Sequence, residues 1–384
     1  MYLRCQTRYP GSDVAPDALF RSGLQSYRLG RWVEAAVSFD GVARMYPDSE
    51  YASRGLLWLG KVRLQQDDAA SAQEAFEAAA EVDPEDYYGL RSADLAADPQ
   101  APVFPPSTYA PDASNEEEDR LAAEQWLADW LALESTEGLS VLSPTLANDV
   151  RMARGSELWR LGRFSEAKLE LDSVRRDDRA NNALAQYQLS LAFREMDAYH
   201  LSLRSGASVL IRAPITNTTD IPDHILQLAY PTYYGDLVLE NAEQTGFDPL
   251  VIFALIWQES QYESVATSQA SAQGLMQVIP PTGQQIHNEL GWPPEYETSD
   301  LYKPYVSVRF GTYYLQQQRD RFDGRIEAAL AGYNGGPSNA ARWLEEADGD
   351  PDLFLELITF SETKRYVRLI REHYAVYRHL YGDR

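Results

Sequence analysis

The chain has 384 residues, 44% of them hydrophobic, a formal net charge of −24 and a pI near 4.6. Such a length accommodates two or three domains. The acidic balance argues against nucleic acid and anionic membrane surfaces as main partners, and against electrostatic capture of any polymer that itself carries carboxylates. The lone cysteine, Cys5, leaves no intrachain disulfide. His200, His224, His287, His373 and His379 lack zinc-ligand spacing, so neither a metal nor a cofactor is expected.

From the N-terminus, Met1 to Thr7 has no apolar signal region, and Arg4 stands where a lipoprotein site needs a small residue. No apolar run approaches the length of a membrane span. Abundant Ala, Leu, Glu and Gln suit helices. The first half is organised by repeats. Gly23, Phe39, Ala43 and Pro47 are echoed by Gly60, Phe76, Ala80 and Pro84 at a constant offset. A third copy starts at Gly155 and runs through Trp159, Gly162, Phe164 and Ala167, and the string Arg-Leu-Gly-Arg recurs at 28–31 and 160–163. The small residues mark close helix packing, and a proline ends each second helix. This pattern resembles tetratricopeptide-type helical hairpins, which stack into a curved superhelix. An ordinary bundle with chance similarity is the alternative, and the repeated spacing disfavours it.

Repeats are therefore expected over 1–92 and, with a connector, over 120–227. The intervening stretch 93–119 is proline-rich up to Tyr109 and acidic from Asn115 to Asp119, and is expected to be an irregular surface segment or mobile linker. A further proline-bearing connection, 211–234, leads to a last domain over 228–384. A length near 150 residues is enough for such a domain to bury its own core and fold alone.

That domain contains the run Leu250 to Trp257, preceded by Asp248 as N-cap and Pro249 at the first helical position. The run could be a buried strand, but the start signal favours a helix buried on most sides. Glu259 then lies at the helix C-terminus. Apolar surroundings and the negative end of the helix dipole both raise its pKa, as a general acid requires. The bland alternative is a carboxylate at a fraying helix end, since structural carboxylates outnumber catalytic ones.

The next blocks decide between these. Glu259-Ser260 is followed by Gly274-Leu275-Met276-Gln277 with Pro280, by Ala331-Gly332-Tyr333-Asn334-Gly335-Gly336, and by Glu362-Thr363-Lys364-Arg365-Tyr366-Val367. Their order and spacing resemble the soluble lytic transglycosylases, lysozyme-like enzymes that cut peptidoglycan. The resemblance covers 230–381 and, more loosely, the helical region before it. It departs in three places. Glu263-Ser264 replaces an Asn-Pro, Gly335-Gly336 replaces Ala-Gly, and Lys364 replaces the late arginine. Glu263 lies four residues from Glu259 and could share its helix face; the favoured reading is that the helix has ended and Glu263 is solvated.

The expected architecture is all-α: a tetratricopeptide-like helical superhelix followed by a lysozyme-like helical catalytic domain. The resemblance implies that Glu259 protonates the β-1,4 bond between N-acetylmuramic acid and N-acetylglucosamine. As carboxylate it then takes the proton of the muramic 6-hydroxyl, which closes a 1,6-anhydro ring. It also implies that Ser260, Ser268, Gln277, Tyr333, Asn334 and Glu362 contact substrate. Each has a structural alternative: a water-facing loop serine for Ser268, a buried tyrosine with a satisfied hydroxyl for Tyr333, and a capping box starting at Thr359 for Glu362. Met276 and, from Tyr366 onwards, Leu369, Ile370, His373, Tyr374, Tyr377 and Leu380 read as core. The implied partner is the glycan strand of peptidoglycan, with the repeats offering surfaces to proteins and no nucleic acid bound. The alternatives in function are a lysozyme-type hydrolase and an inactive peptidoglycan-binding scaffold. The implied location is the cell envelope, outside the cytoplasm. The missing export signal then suggests a chain truncated at its N-terminus.

Overall fold

A computed structural model describes residues 8–111, 115–215 and 217–383; the N-terminal heptapeptide with Cys5 lies outside them. Among the described residues there are twenty α-helices and three isolated β-bridges, so the all-α expectation holds. No described helix is long and apolar enough to cross a membrane. The chain divides into two compact units, 1–105 and 106–384.

The first unit holds α1 (Ala15–Arg28), α2 (Trp32–Met45), α3 (Ala52–Gln65), α4 (Ala69–Val82) and α5 (Tyr87–Ala97), each packed on the next. The glycine spacing in the repeats has a direct steric cause. A Cβ on Gly23 would fall 2.6 Å from the Phe39 ring, and one on Gly60 would fall 2.5 Å from the Phe76 ring. Each hairpin thus buries an aromatic ring of its second helix directly on bare backbone of its first. Phe20, Tyr27, Phe39 and Trp58 form the ring-packed interior. The turns repeat as well. Gly30 and Asp67 both take left-handed backbone between paired helices.

The second unit begins with an extended piece. Tyr109 bridges to Gly382, the Ala110 N–H donates to the Tyr381 carbonyl at 2.8 Å, and the Ser107 N–H donates to Asp248 at 3.2 Å. The irregular surface segment or mobile linker expected over 93–119 is therefore narrower than those bounds, with 98–106 irregular. Residues 93–97 are the last turn of α5, 107–110 are tied to the end of the chain, and α6 (Glu116–Leu131) already includes the acidic cluster. Four carboxylates in a first turn complement the positive end of the helix dipole, which is why the helix starts there rather than near Arg120.

There follow α7 (Pro144–Ala147), α8 (Val150–Arg160), α9 (Phe164–Arg175), α10 (Ala183–Glu195), α11 (Tyr199–Arg212) and α12 (Asp223–Ala229). The third repeat copy is the α8–α9 hairpin, where a Cβ on Gly155 would lie 2.6 Å from Leu171 and Gly162 is left-handed. The α10–α11 pair is a further hairpin that the glycine pattern did not reveal. Its left-handed turn residue is Asp197, and Ser190 and Ser202 hydrogen-bond across the pair. Leu171, Val174, Leu189, Phe193 and Leu201 form the shared core.

The remaining helices are α13 (Gly235–Thr245), α14 (Pro249–Ser260), α15 (Pro280–Leu290), α16 (Pro304–Arg321), α17 (Ile326–Gly335), α18 (Pro337–Glu346), α19 (Pro351–Leu357) and α20 (Ser361–Tyr381). They are not set off by a flexible connection. The Tyr199 and Tyr233 rings stack at 4.1 Å, the Ser202 and Tyr233 hydroxyls are 2.8 Å apart, and the Tyr377 and Tyr381 hydroxyls donate to the carbonyls of Pro231 and Tyr230. A boundary at 227/228 therefore runs through packed structure.

Candidate active site

Helix α14 is the central element. Every residue from Leu250 to Ile256 is buried. The Asp248 carboxylate accepts the Leu250 N–H at 2.8 Å and Pro249 occupies the first turn, so the run forms a helix rather than a strand. Asp248 also accepts the Tyr374 hydroxyl at 2.6 Å, which ties the helix start to α20. At the other end, the Trp257 indole N–H donates to the Ala229 carbonyl at 2.8 Å, and its ring lies 3.8 Å from that of His373. The helix stops at Ser260 because Gln261 and Tyr262 both adopt left-handed backbone, at φ +50° and +63°. Each such non-glycine residue costs about 1–2 kcal/mol, so neighbouring structure must hold the turn.

Glu259 sits in the last turn of α14, half-buried. Burial pushes its pKa up to about 8; the Tyr366 hydroxyl hydrogen-bonded to it pulls the other way, and the Glu362 charge adds to the rise. Enough protein surrounds the carboxyl that desolvation dominates even though part of it reaches solvent. The Tyr366 hydroxyl donates to Glu259 Oε1. Tyr366 and Tyr333 both feel the Glu259 charge, so α14, α17 and α20 converge at this carboxyl.

The Gly274-Leu275-Met276-Gln277 turn is built by steric necessity. Gly274 has φ +77°, and a Cβ there would lie 1.9 Å from the Leu301 carbonyl oxygen. Leu275 and Met276 are fully buried, as expected for core, and the Met276 N–H donates to the Ser307 hydroxyl at 3.1 Å. Tyr333, half-buried against Tyr314, donates its hydroxyl to the Met276 carbonyl at 2.7 Å, not to Glu259. Gln277 uses its amide nitrogen on the Gly274 carbonyl at 2.8 Å and the Ala266 carbonyl at 3.3 Å. Its acceptor Oε1 makes no protein hydrogen bond among the described residues.

The other predicted site residues fall as follows. Asn334 is exposed at the end of α17 and accepts the Thr363 hydroxyl at 2.7 Å, an approach that the missing Cβ of Gly335 permits. Glu362 is exposed in the first turn of α20. The capping box considered for it does not form. The N-cap is Phe360, and the Thr359 hydroxyl instead accepts the Trp343 indole N–H at 3.2 Å. Ser268 closes an exposed turn, accepting the backbone N–H groups of Ala270 and Ala272. Ser260 is buried and donates back to the Ile256 carbonyl at 3.3 Å, so its hydroxyl is used within its own helix. Glu263 is neither on the helix nor solvated: it pairs with Lys168 at 2.6 Å.

One site residue was missed. Tyr366 read as core because it opens the apolar stripe of α20, and it is buried. A signal was present, since it lies in the last sequence block, four residues after Glu362 and hence on the same helix face.

The family model described as the transglycosylase SLT domain matches residues 236–352, which contain Glu259, Gln277, Tyr333 and Asn334. That stretch of the chain is similar to the SLT domain. Its SLT match stops before α20, so Glu362 and Tyr366 come from a helix outside the matched stretch. A tetratricopeptide repeat model matches residues 17–49, the α1–α2 hairpin. The soluble lytic murein transglycosylase of Salmonella typhimurium is 32% identical over 164 residues, covering 42% of this chain and 25% of that protein. That of Escherichia coli K12 is 31% identical over the same length. The chain thus spans about a quarter of the length of these curated relatives. An inactive mutant of the lytic transglycosylase Slt from Pseudomonas aeruginosa superposes with a TM-score of 0.65 at 22% identity, covering 98% of this chain and 54% of that one. A 70-kDa soluble lytic transglycosylase in complex with bulgecin A gives 0.69 at 19% identity, covering 97% and 53%. At these identities the superpositions establish the fold: helical repeats followed by an SLT domain.

Proposed function

We propose that this chain is a lytic transglycosylase. It cleaves the β-1,4 bond between N-acetylmuramic acid and N-acetylglucosamine and leaves a 1,6-anhydromuramic end. The observation that carries the reading is the state of Glu259: a carboxyl with a pKa near 8 is protonated at neutral pH, the form a general acid needs. Its Oε1 is occupied by the Tyr366 hydroxyl, so the acid proton belongs on Oε2. That proton passes to the glycosidic oxygen as the bond to the sugar carbon breaks. The Glu259 carboxylate, now stabilised by the Tyr366 O–H, takes the proton of the muramic 6-hydroxyl as this oxygen attacks the anomeric carbon. The proton returns to Glu259 and no water is consumed. Intramolecular attack supplies effective molarity in place of an activated water.

Gln277, with a spare acceptor, the exposed Asn334 and Glu362 are assigned to the sugar-contacting wall, with the Tyr333 ring as a packing surface. Ser268 acts through its turn, and Ser260 is withdrawn from the substrate-contacting set. The names of the curated relatives support peptidoglycan as substrate, and with that substrate goes a location outside the cytoplasm, in the cell envelope, as part of the same proposal. Helical repeats commonly serve as concave binding surfaces, and here they are assigned to glycan strands or proteins. The lysozyme-type alternative keeps one specific support, the second carboxyl Glu362 acting on Glu259.

Mass spectrometry of muropeptides released from purified sacculi tests the proposal. Anhydro ends support the transglycosylase. Reducing ends would make it a hydrolase with Glu362 as the second carboxylate, and no release would leave a binding scaffold.

A further inference from the structure

The turn that follows Glu259 is held from outside the SLT match. Gln261 and Tyr262 are consecutive left-handed residues, a conformation that does not persist without support. Three contacts supply it. His200 on α11 donates from Nδ1 to the Gln261 carbonyl at 3.2 Å, a carbonyl being able only to accept. The buried Tyr262 hydroxyl meets that of Tyr377 at 2.9 Å. Glu263 Oε1 takes the Lys168 ammonium of α9 at 2.6 Å, while its Oε2 lies 3.5 Å from His200 Nε2. Lys168 and His200 thus grip one short stretch whose first residue follows Ser260 directly.

We infer that Glu263, clamped by Lys168 and flanked by His200, is a positioning residue that sets where the end of α14 places the Glu259 carboxyl. The inference rests on the proposed role of Glu259 and goes beyond it. It makes the α8–α11 repeats part of the catalytic apparatus rather than only a surface for substrate or partners. The repeat helices fix the backbone on one side of Glu259, and α20 fixes its carboxyl from the other through Tyr366. Lys168 keeps 35% of its side chain exposed and Glu263 keeps 17%, and a part-exposed pair of this kind adds little to global stability. Its loss shifts the turn without unfolding the unit. A displacement of a reacting group by less than 1 Å is enough to cost about ten-fold in rate.

The test uses the full chain and a soluble glycan oligomer prepared from peptidoglycan. The kcat and KM are measured for wild type, Lys168→Met, Glu263→Gln and the charge-swapped double variant Lys168→Glu/Glu263→Lys, with circular dichroism and thermal midpoints alongside. Each single variant is expected to lower kcat about ten-fold with KM within about two-fold and the fold intact, the signature of a group misplaced for the transition state. The swapped pair is expected to regain most of the loss. Single variants with wild-type kcat overturn the inference, as do variants that lose rate only in step with the folded signal or a swap no better than its singles. A wild-type chain that cleaves nothing overturns the transglycosylase reading itself, and this inference with it. An active wild type with indifferent variants overturns the inference alone.

Discussion

The Tyr366 hydroxyl donates to Oε1 of Glu259 across 107 residues of chain, joining the last helix to the end of the buried one. This bond favours the carboxylate and so opposes burial, which favours the acid. Burial wins, so the acid form rests in place, and the Tyr366 O–H stabilises the carboxylate once the proton has been given.

Tyr366→Phe removes the opposing interaction. The Glu259 pKa is expected to rise above its present value near 8. The alkaline limb of the pH–rate profile then moves upward, while kcat falls about ten-fold as the carboxylate loses its donor. Rates on a soluble glycan oligomer between pH 5 and 10 check this. A limb that moves downward would remove Tyr366 from the site.

Glu259→Gln is expected to keep the fold and abolish cleavage, since the amide is nearly isosteric but has no proton to give. Its stability should depend on pH in a defined way. The folded pKa near 8 lies above the reference 4.5, so the stabilising contribution is complete below pH 4.5 and is lost as pH rises through 8. The glutamine variant cannot titrate. It should match wild type near pH 4 and exceed it at pH 9 by on the order of 2 kcal/mol, discounting for partial exposure. Urea titrations at the two pH values measure the difference, and equal stability at both would contradict the raised pKa.

Tyr333→Phe is expected to lower stability as well as activity. The family resemblance suggested a substrate contact, with a satisfied buried hydroxyl as the alternative. In the fold that hydroxyl holds the Met276 carbonyl, and its loss should cost about 1 kcal/mol. Denaturant midpoints and rates measured together decide between the two roles. An unchanged midpoint with a large rate loss would return Tyr333 to the substrate-contacting role.

The fragment 106–384 is expected to fold and to cleave soluble glycan, because it is one compact unit. The fragment 228–384, which its length and the four motif blocks within it suggested would suffice, is expected to lose most activity. It lacks Lys168 and His200 and leaves uncovered the Tyr233 face that packs on Tyr199 and Ser202. Expression of both, with circular dichroism and a cleavage assay, checks the comparison. Full activity in 228–384 would show that the repeats contribute nothing to the chemistry.

Local sequence determined a good deal. Apolar periodicity, the Asp248 cap and Pro249 specify α14 and put Glu259 at its end, because helix starts and buried runs are written in neighbouring residues. The glycines at 23, 60 and 155 mark the repeat hairpins, because an added Cβ would collide with the facing helix at each. Gly274 marks the tight turn for the same kind of reason. The α10–α11 hairpin stayed hidden, because α10 carries no glycine like Gly23, Gly60 and Gly155, and its turn residue, Asp197, is no glycine either.

Only the tertiary structure decided the partners across the site. It turned the Tyr333 hydroxyl to a backbone carbonyl and Ser260 into the core. It brought Tyr366 onto Glu259, and it took Glu263 from the solvent to Lys168. Periodicity states which face of a helix is buried, but not what the opposing surface presents. A hydroxyl at a buried position, such as Tyr366, therefore looks like core until the carboxyl it faces, on a helix far away in sequence, is known.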